Sequence, residues 1–356
     1  MSTPSARLLF IPVSGPRGMG EYARCLTIAT ALARRAPGLE MHFALSRAAP
    51  YAAGTPFPTT LLPSSATFHP REVSALIREL KPRVVVFDNA GRTAQLRAAR
   101  ASGARIVYVS SRRRQRRKGF RLRWMRLIDE HWIAYPRFIA GALNPIERLK
   151  LRALGRPAVR FIDTLLPAQD LARSNELLAR FALEAGGYVL IVPGGGSAHP
   201  GAEHAPAIVA SAALGLARRG VPTLLVGSDA AAPGGGHPAF LRAAPRLPPA
   251  ELVELIRTAR LVVSNGGDTL LQVLACALPC VAVPIARDQA HRIECCVRAG
   301  LAVRAELDAR AIESAAFAAL GRQRQGAPPA DQPRVRNCME DVLGALMKLL
   351  QSGGAP

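Results

Sequence analysis

Long apolar runs are missing from this sequence. No stretch approaches the roughly 18–20 residues that cross a bilayer. The first run, Leu8 to Val13, ends after six residues in a proline-glycine loop and so reads as a strand rather than a leader. Aromatic residues make up only 5 % of the chain, too few for the stacked-aromatic strands of RNA-reading modules. The cysteines are sparse and unpatterned: Cys25, Cys276, Cys280, Cys295, Cys296 and Cys338 form no pair of CxxC motifs at zinc spacing. Vicinal Cys295 and Cys296 suit an ordinary disulfide poorly, and Cys276 and Cys280 read as small buried hydrophobes. A reducing, cytoplasmic compartment is the simplest account. There is no Asp-x-Asp motif to demand a divalent ion and no strict GxGxxG. Gly15-Pro-Arg-Gly18-Met-Gly20 has the wrong spacing, and the second strand ends in Ala44-Leu45-Ser46 without an acidic ribose partner. That argues against an NAD enzyme.

Acid is also in short supply. Asp and Glu number 25 against 47 Lys and Arg, for a formal charge of +22. Such an excess implies an anionic partner, whether nucleic acid, lipid headgroups or phosphorylated substrates. Arginine-rich codon usage on a solvated surface is the plain alternative. With 356 residues and 49 % hydrophobic content, the chain is globular and long enough for two domains, each with a full core.

Short β-branched runs alternate with helical stretches throughout, which predicts an α/β protein with parallel sheets. In the first half, strands are expected over 7–13, 39–45, 84–88, 105–110 and 131–135, with helices over 21–35, 71–80 and 93–102. The second half repeats the pattern, with strands over 188–193, 222–227, 261–264 and 280–284 and helices over 207–219, 249–258, 268–277 and 289–299. A final helix is expected over 334–350. Leu-Leu-Pro-Ala within 163–170 marks a linker, and 326–333 marks a second hinge. Residues 48–68, rich in Pro, Thr and Ser, predict a mobile functional loop.

Both halves open with strand, glycine loop, helix. Gly194-Gly195-Gly196-Ser197 follows one predicted strand, and its bare amides, backed by a helix N-terminus, suit a diphosphate. A tight turn is the competing reading. Gly266-Gly267-Asp268-Thr269 repeats the arrangement, and there Asp268 or Thr269 could equally cap the next helix.

The segment from Leu261 through Asn265-Gly-Gly-Asp-Thr269, Cys276-Ala-Leu-Pro-Cys280 and Pro284 to Asp288-Gln289 resembles the C-terminal signature of GT-B glycosyltransferases. Among these it looks most like the N-acetylglucosaminyltransferase that completes lipid II and the UDP-sugar hydrolase of pseudaminic acid synthesis. Gly18-x-Gly20-x-Tyr-Ala-Arg24 resembles the hydrolase's opening helix. The resemblance implies two Rossmann-like domains with parallel sheets facing a cleft. Residues 1–165 would bind acceptor and 166–356 the nucleotide-sugar, with helix 334–350 packing back on the first domain. It also implies site roles. Gly194, Gly195, Gly196 and Ser197 would hold the diphosphate, with Gly266, Gly267, Asp268 and Thr269 closing on it. The backbone near Leu247 would meet the base. Gln272 stands where many relatives carry a ribose-gripping glutamate, and Asp288 and Gln289 would contact the donor sugar. Glu21 replaces a histidine found in many relatives. It is either a base for the acceptor hydroxyl or a carboxylate complementing the helix dipole. Asp88, at a strand end, is the second candidate base. No cofactor is expected beyond the donor itself.

Residues 112–126 hold nine Arg/Lys and no acid. Arg112, Arg113, Arg114, Arg116, Arg117, Lys118, Arg121, Arg123 and Arg126 interleave with Phe120, Leu122, Trp124 and Met125. Such a basic segment, Trp124 included, can lie on the anionic inner face of a membrane. It can also form a solvated or substrate-phosphate patch, and RNA is the weaker third partner. The function expected is transfer of a sugar from a nucleotide-sugar, UDP-linked by the resemblance, to an acceptor hydroxyl on a lipid-linked or envelope glycan. A hydrolase or epimerase on the same fold and a non-catalytic binder of anionic surfaces are the alternatives.

Overall fold

The computed structural model describes residues 6–16, 18–194, 203–227, 239–322 and 333–352. The chain forms two compact units, one of residues 1–165 with 338–356 and the other of 166–337. In the first, seven strands run β1 Arg7–Pro12, β2 Glu40–Ser46, β3 Thr59–Leu62, β4 Val84–Asp88, β5 Arg105–Ser110, β6 Glu130–Ile133 and β7 Ala158–Phe161. Their order is β3-β2-β1-β4-β5-β6-β7, and every pairing is parallel. In the second, β8 Val189–Val192, β9 Thr223–Val226, β10 Leu241–Ala244, β11 Leu261–Asn265, β12 Cys280–Val283 and β13 Val303–Arg304 lie in the order β10-β9-β8-β11-β12-β13, again all parallel.

Parallel sheets must be covered on both faces, so their central strands are apolar along most of their length. β4 reads Val-Val-Val-Phe-Asp with every residue buried. β1 alternates: Leu8 and Phe10 join helices Gly20–Arg35 and Met339–Gln351 on one face. Leu9 and Ile11 join helices Pro70–Leu80 and Thr93–Ala101 on the other. In the second unit, helices Ala205–Arg218 and Ala309–Arg322 cover one face through Val209, Leu216, Ile312 and Ala316.

Residues 48–68, expected as a mobile loop, contain β3, which pairs with β2. Tyr51 stacks on Tyr22 at 4.2 Å and Phe57 on Phe43 at 5.8 Å. Apolar rings that bury themselves outweigh the turn-forming prolines around them.

The basic segment is also anchored differently from the expectation. It forms two short helices, Arg113–Gly119 and Leu122–Met125. Trp124 is 2 % exposed, packs edge-on against Tyr108 and donates its indole N–H to Thr93 Oγ1 at 3.0 Å. It belongs to the core, not to a surface. Arg116 is likewise drawn inward, with a bidentate pair to Glu147 at 2.7 and 3.1 Å and bonds to the Ala140, Gly141 and Ala142 carbonyls. Gly119 is glycine because the His131 ring fills the space a side chain would take.

His131, on β6, is fully buried between Tyr108 and Phe120, with Nε2 2.9 Å from Ser110 Oγ. Burial first, then the Arg116 charge, depresses its pKa to about 3. The unfolded chain protonates this histidine near the ordinary value of about 6.5. Its contribution to stability is therefore complete above about pH 6.5 and is lost as pH falls toward 3, by at most about 1.4 kcal/mol per unit. Urea unfolding at about pH 5 should show roughly 2 kcal/mol less stability from this group than at neutral pH, and His131→Gln should flatten that slope. An unchanged slope in the variant would exclude His131 as its source.

Candidate active site

In each sheet the strand order reverses direction once, between β1 and β4 and between β8 and β11. Ligands of doubly wound sheets bind outside the carboxyl ends of the strands at such a reversal, where the flanking loops diverge.

In the second unit the reversal is built around Asn265, the last residue of β11. Its side-chain amide donates to the Pro193 carbonyl just beyond β8 at 3.0 Å, and its Oδ1 accepts the Gly267 N–H at 2.9 Å. The first bond ties adjacent strand ends together, and the second closes an Asx-type turn. Three glycines then follow from sterics. Gly194 has φ +115°, a conformation that favours glycine, and a Cβ there would collide with the Asn265 amide. A Cβ on Gly267 would lie 2.8 Å from Asn265 Oδ1, and one on Gly266 would lie 2.8 Å from Gln289 Cβ and Ile293 Cγ1. Gly194 and the Gly266-Gly267 turn therefore meet at one sheet end, packed backbone to side chain.

Helix Asp268–Ala275 starts immediately after this turn, with Gly267 as its N-cap. Glycine offers no side-chain acceptor to the first-turn N–H groups, which carry the positive end of the helix dipole. Asp268 and Thr269 occupy that turn, half-buried, and Gln272 lies one turn further along. Leu247 is buried between β10 and helix Pro249–Thr258, so its backbone leaves the same end of the sheet three strands from β11. Gly195, Gly196 and Ser197 lie outside the described residues.

Asp288 and Gln289 separate. Asp288 has a 75 % exposed side chain, 3.7 Å from Arg292. Gln289 is buried, and its Oε1 accepts the backbone N–H groups of Gly266, Ile285 and Ala286 at 3.3, 3.0 and 3.3 Å. Arg292 donates to the Gly266 carbonyl. The Gln289 carbonyl and Arg292 thus brace the glycine turn from behind, whereas the resemblance implies that Gln289 contacts the donor sugar.

In the first unit, Asp88 ends β4 with no exposed surface and takes Arg24 through both oxygens, at 2.7 and 3.1 Å. Removing one partner of so buried a pair costs about 3–5 kcal/mol. A carboxylate held in this way is an anchor for helix Gly20–Arg35, and its geometry does not suit the base role set out for it. Glu21, in the first turn of that helix, has a 14 % exposed side chain. Its Oε1 accepts Asn89 Nδ2 at 2.8 Å and lies 3.9 Å from Arg112 Nη2. Asn89 adopts a left-handed φ of +52°, a strained choice outside glycine. Its amide also bonds Ser111 Oγ at 2.5 Å and accepts the Ser111 N–H at 2.9 Å. Tyr51 is close enough that, after burial itself, the Glu21 charge helps push its phenol up to about 12.

Asn265, Asn89, Ser111 and Tyr51 carried no role in the sequence reading. An asparagine separated by one or two residues from a β-branched run is the available signal for the first two, since its side chain can replace the hydrogen bonds of a strand that is ending.

Neither a protein-family model nor a curated protein sequence matches the chain. Solved structures do. The spinosyn forosaminyltransferase SpnP superposes with a TM-score of 0.64 at 15 % identity, covering 97 % of this chain and 99 % of that one. A UGT transferase from Siraitia grosvenorii in complex with UDP gives 0.54 at 15 %, covering 97 % and 100 %. A Listeria monocytogenes protein assigned as a UDP-N-acetylglucosamine 2-epimerase gives 0.59 at 13 %, covering 98 % and 97 %. The chain has the GT-B fold, two units with parallel sheets of seven and six strands.

Asn265→Ala should cut the bond between the strand ends and the one that closes the turn, while leaving the strands paired. Gly266→Ala should push the turn off helix Arg287–Arg298. Both variants are expected to lose about 1–3 kcal/mol of stability in urea unfolding, the cost of leaving backbone groups unpaired or of overpacking the turn, with circular dichroism unchanged. Wild-type stability in both variants would show that neither the Asn265 bonds nor the glycine packing holds the turn in place.

Proposed function

We propose that this protein is a metal-independent glycosyltransferase that moves a sugar from a nucleotide-sugar, UDP-linked, to an acceptor hydroxyl. The observation that carries the reading is the Asn265 bridge, which gathers the Gly194 and Gly266-Gly267 turns beside the N-terminus of helix Asp268–Ala275. Preformed amides and a helix dipole stabilise a departing diphosphate without reorganising. Gly194 to Ser197 and Gly266 to Thr269 would take the phosphates, the Leu247 backbone the base, Gln272 the ribose and Asp288 the sugar. A neutral Gln272 grips a diol more weakly than a carboxylate does.

Glu21 is the proposed base. It is an ionisable group at a sheet reversal, held by Asn89 and flanked by Arg112, which is the kind of fixed placement proton abstraction needs. The likeness to SpnP supports transfer, and the likeness to the Listeria protein supports a second reading, a nucleotide-sugar epimerase or hydrolase.

Thermal denaturation with UDP-, dTDP- and GDP-sugars tests the donor, since a ligand that binds only the folded state raises the melting temperature. A rise with UDP-sugars, absent in Asn265→Ala, is expected, and no rise with any nucleotide-sugar refutes the proposal. UDP release should require an acceptor and survive EDTA. Release without acceptor selects the second reading. Glu21→Gln should lower turnover about 10²–10⁴-fold while keeping the melting-temperature rise, and full activity in that variant removes Glu21 as base.

A further inference from the structure

We propose that the outer face of helix Pro145–Leu154 seats this protein on an anionic lipid bilayer, independently of what the nucleotide site binds. Asn144 caps the helix by accepting the Glu147 N–H at 2.8 Å, Glu147 returns a bond to the Asn144 N–H at 3.0 Å, and Gly155 ends it in a left-handed turn. Its inner face is settled by contacts: Leu151 and Leu154 pack on Phe120, Met125 and Ile133. Glu147, the only acid of the helix, is buried against Arg116.

Everything charged that remains on the outer face is cationic. Ile146 and Leu149 are 65 % and 66 % exposed, one helical turn apart. Arg148 and Arg152 are exposed beside them and line a shallow surface depression with Pro145 and Leu149. The adjoining segment, tied to this helix by Lys150 Nζ on the Phe120 carbonyl at 3.2 Å, adds exposed Arg117 and Arg121. Arginines between exposed aliphatic side chains are the composition of helices that lie in a membrane interface: the aliphatics enter the acyl boundary and the guanidinium groups meet lipid phosphates. A nucleic acid would use the arginines and leave Ile146 and Leu149 in water. Among the described residues no helix is long and apolar enough to cross a membrane, so contact through this helix would be from one side.

The test is co-sedimentation of the full chain with vesicles of equal parts phosphatidylglycerol and phosphatidylcholine, and with phosphatidylcholine alone. Sedimentation with the mixed vesicles only is expected. Ile146→Ser with Leu149→Ser should weaken it about tenfold or more, the effect of removing two inserting side chains, and Arg148→Ala with Arg152→Ala should do the same. Both pairs sit on the solvent face, so unchanged melting temperatures and unchanged melting-temperature responses to UDP-sugars are expected. Failure of the wild type to sediment, equal sedimentation of the Ile146/Leu149 variant, or binding to an RNA oligonucleotide but not to vesicles would each overturn the proposal.

Discussion

Asn265 spends both ends of one amide on the backbone, and the geometry of the second unit's reversal depends on those two bonds. β8 and β11 are adjacent and parallel, in register at Val192 and Ser264, yet the chain leaves them in opposite directions. Diverging strand ends leave backbone groups unpaired, and a buried unpaired group is costly. The Asn265 amide satisfies the Pro193 carbonyl just past one strand and the Gly267 N–H just past the other. Once it is there, neither Gly194 nor Gly267 can carry a side chain, and Gly266 is fixed by Gln289 and Ile293 behind it. The glycines of the motif are consequences of this packing as much as of any ligand, and the same packing leaves the next helix capped by a residue without a side chain.

The first unit meets the same topological demand with different chemistry. At the end of β4, Asp88 and Asn89 divide the work. Asp88 turns inward to Arg24, and Asn89 bends into a left-handed conformation and spans Glu21 and Ser111. A buried Arg–carboxylate pair is a weak source of net stability and a strict source of geometry, because either partner alone is costly. Here it holds the helix that carries Glu21 to the strand that carries Asn89. Rigidity beneath an ionisable side chain is what a site for proton transfer needs.

Legibility of the fold followed burial. The strands read from sequence, β1, β2, β4, β5, β6, β8, β9, β11 and β12, are the interior strands of the two sheets. β3, β7, β10 and β13, which the reading passed over, are the four edges. Interior strands are covered on both faces and read as near-continuous apolar runs, as β8 and β12 do and as β4 does up to Asp88. An edge strand has one neighbour and open flanks: β3 buries only Leu62, and β7 buries nothing fully. Thr-Thr-Leu-Leu and Ala-Val-Arg-Phe carry no run that distinguishes them from loop. Helix Pro145–Leu154 was missed for a different reason. Its Asn-Pro-x-Glu start and glycine stop are written in the sequence, but its apolar residues point both inward and outward, which blurs the helical period. Glycine positions at the site were legible because bare backbone leaves a mark in sequence. The partner that makes them necessary, Asn265, was not, because an asparagine at a strand end signals only a turn until its far neighbour is known.

Net charge was the hardest quantity to place. A formal charge of +22 suggests a uniformly cationic surface, but many arginines are turned into the fold. Asp129 alone receives Arg100, Arg105 and Arg156. Arg160 reaches Glu130, Arg257 reaches Glu254 and the Pro167 carbonyl, and Arg116 serves three carbonyls and one carboxylate. A planar guanidinium with five donors can satisfy several acceptors at once where a lysine would satisfy fewer. Arginine in this chain is therefore in part a substitute for backbone pairing at loop ends, and composition alone cannot separate that use from binding. Position can. Among the described residues, exposed guanidinium groups without such duties include Arg113, Arg114, Arg117, Arg121, Arg123 and Arg126, and Arg148 and Arg152 on the outer side of the helix that packs against them. The cationic surface is thus set by which carboxylates fold inward, and Glu147, by taking Arg116 with it, decides that the helix it belongs to presents only arginine and aliphatic side chains to the solvent.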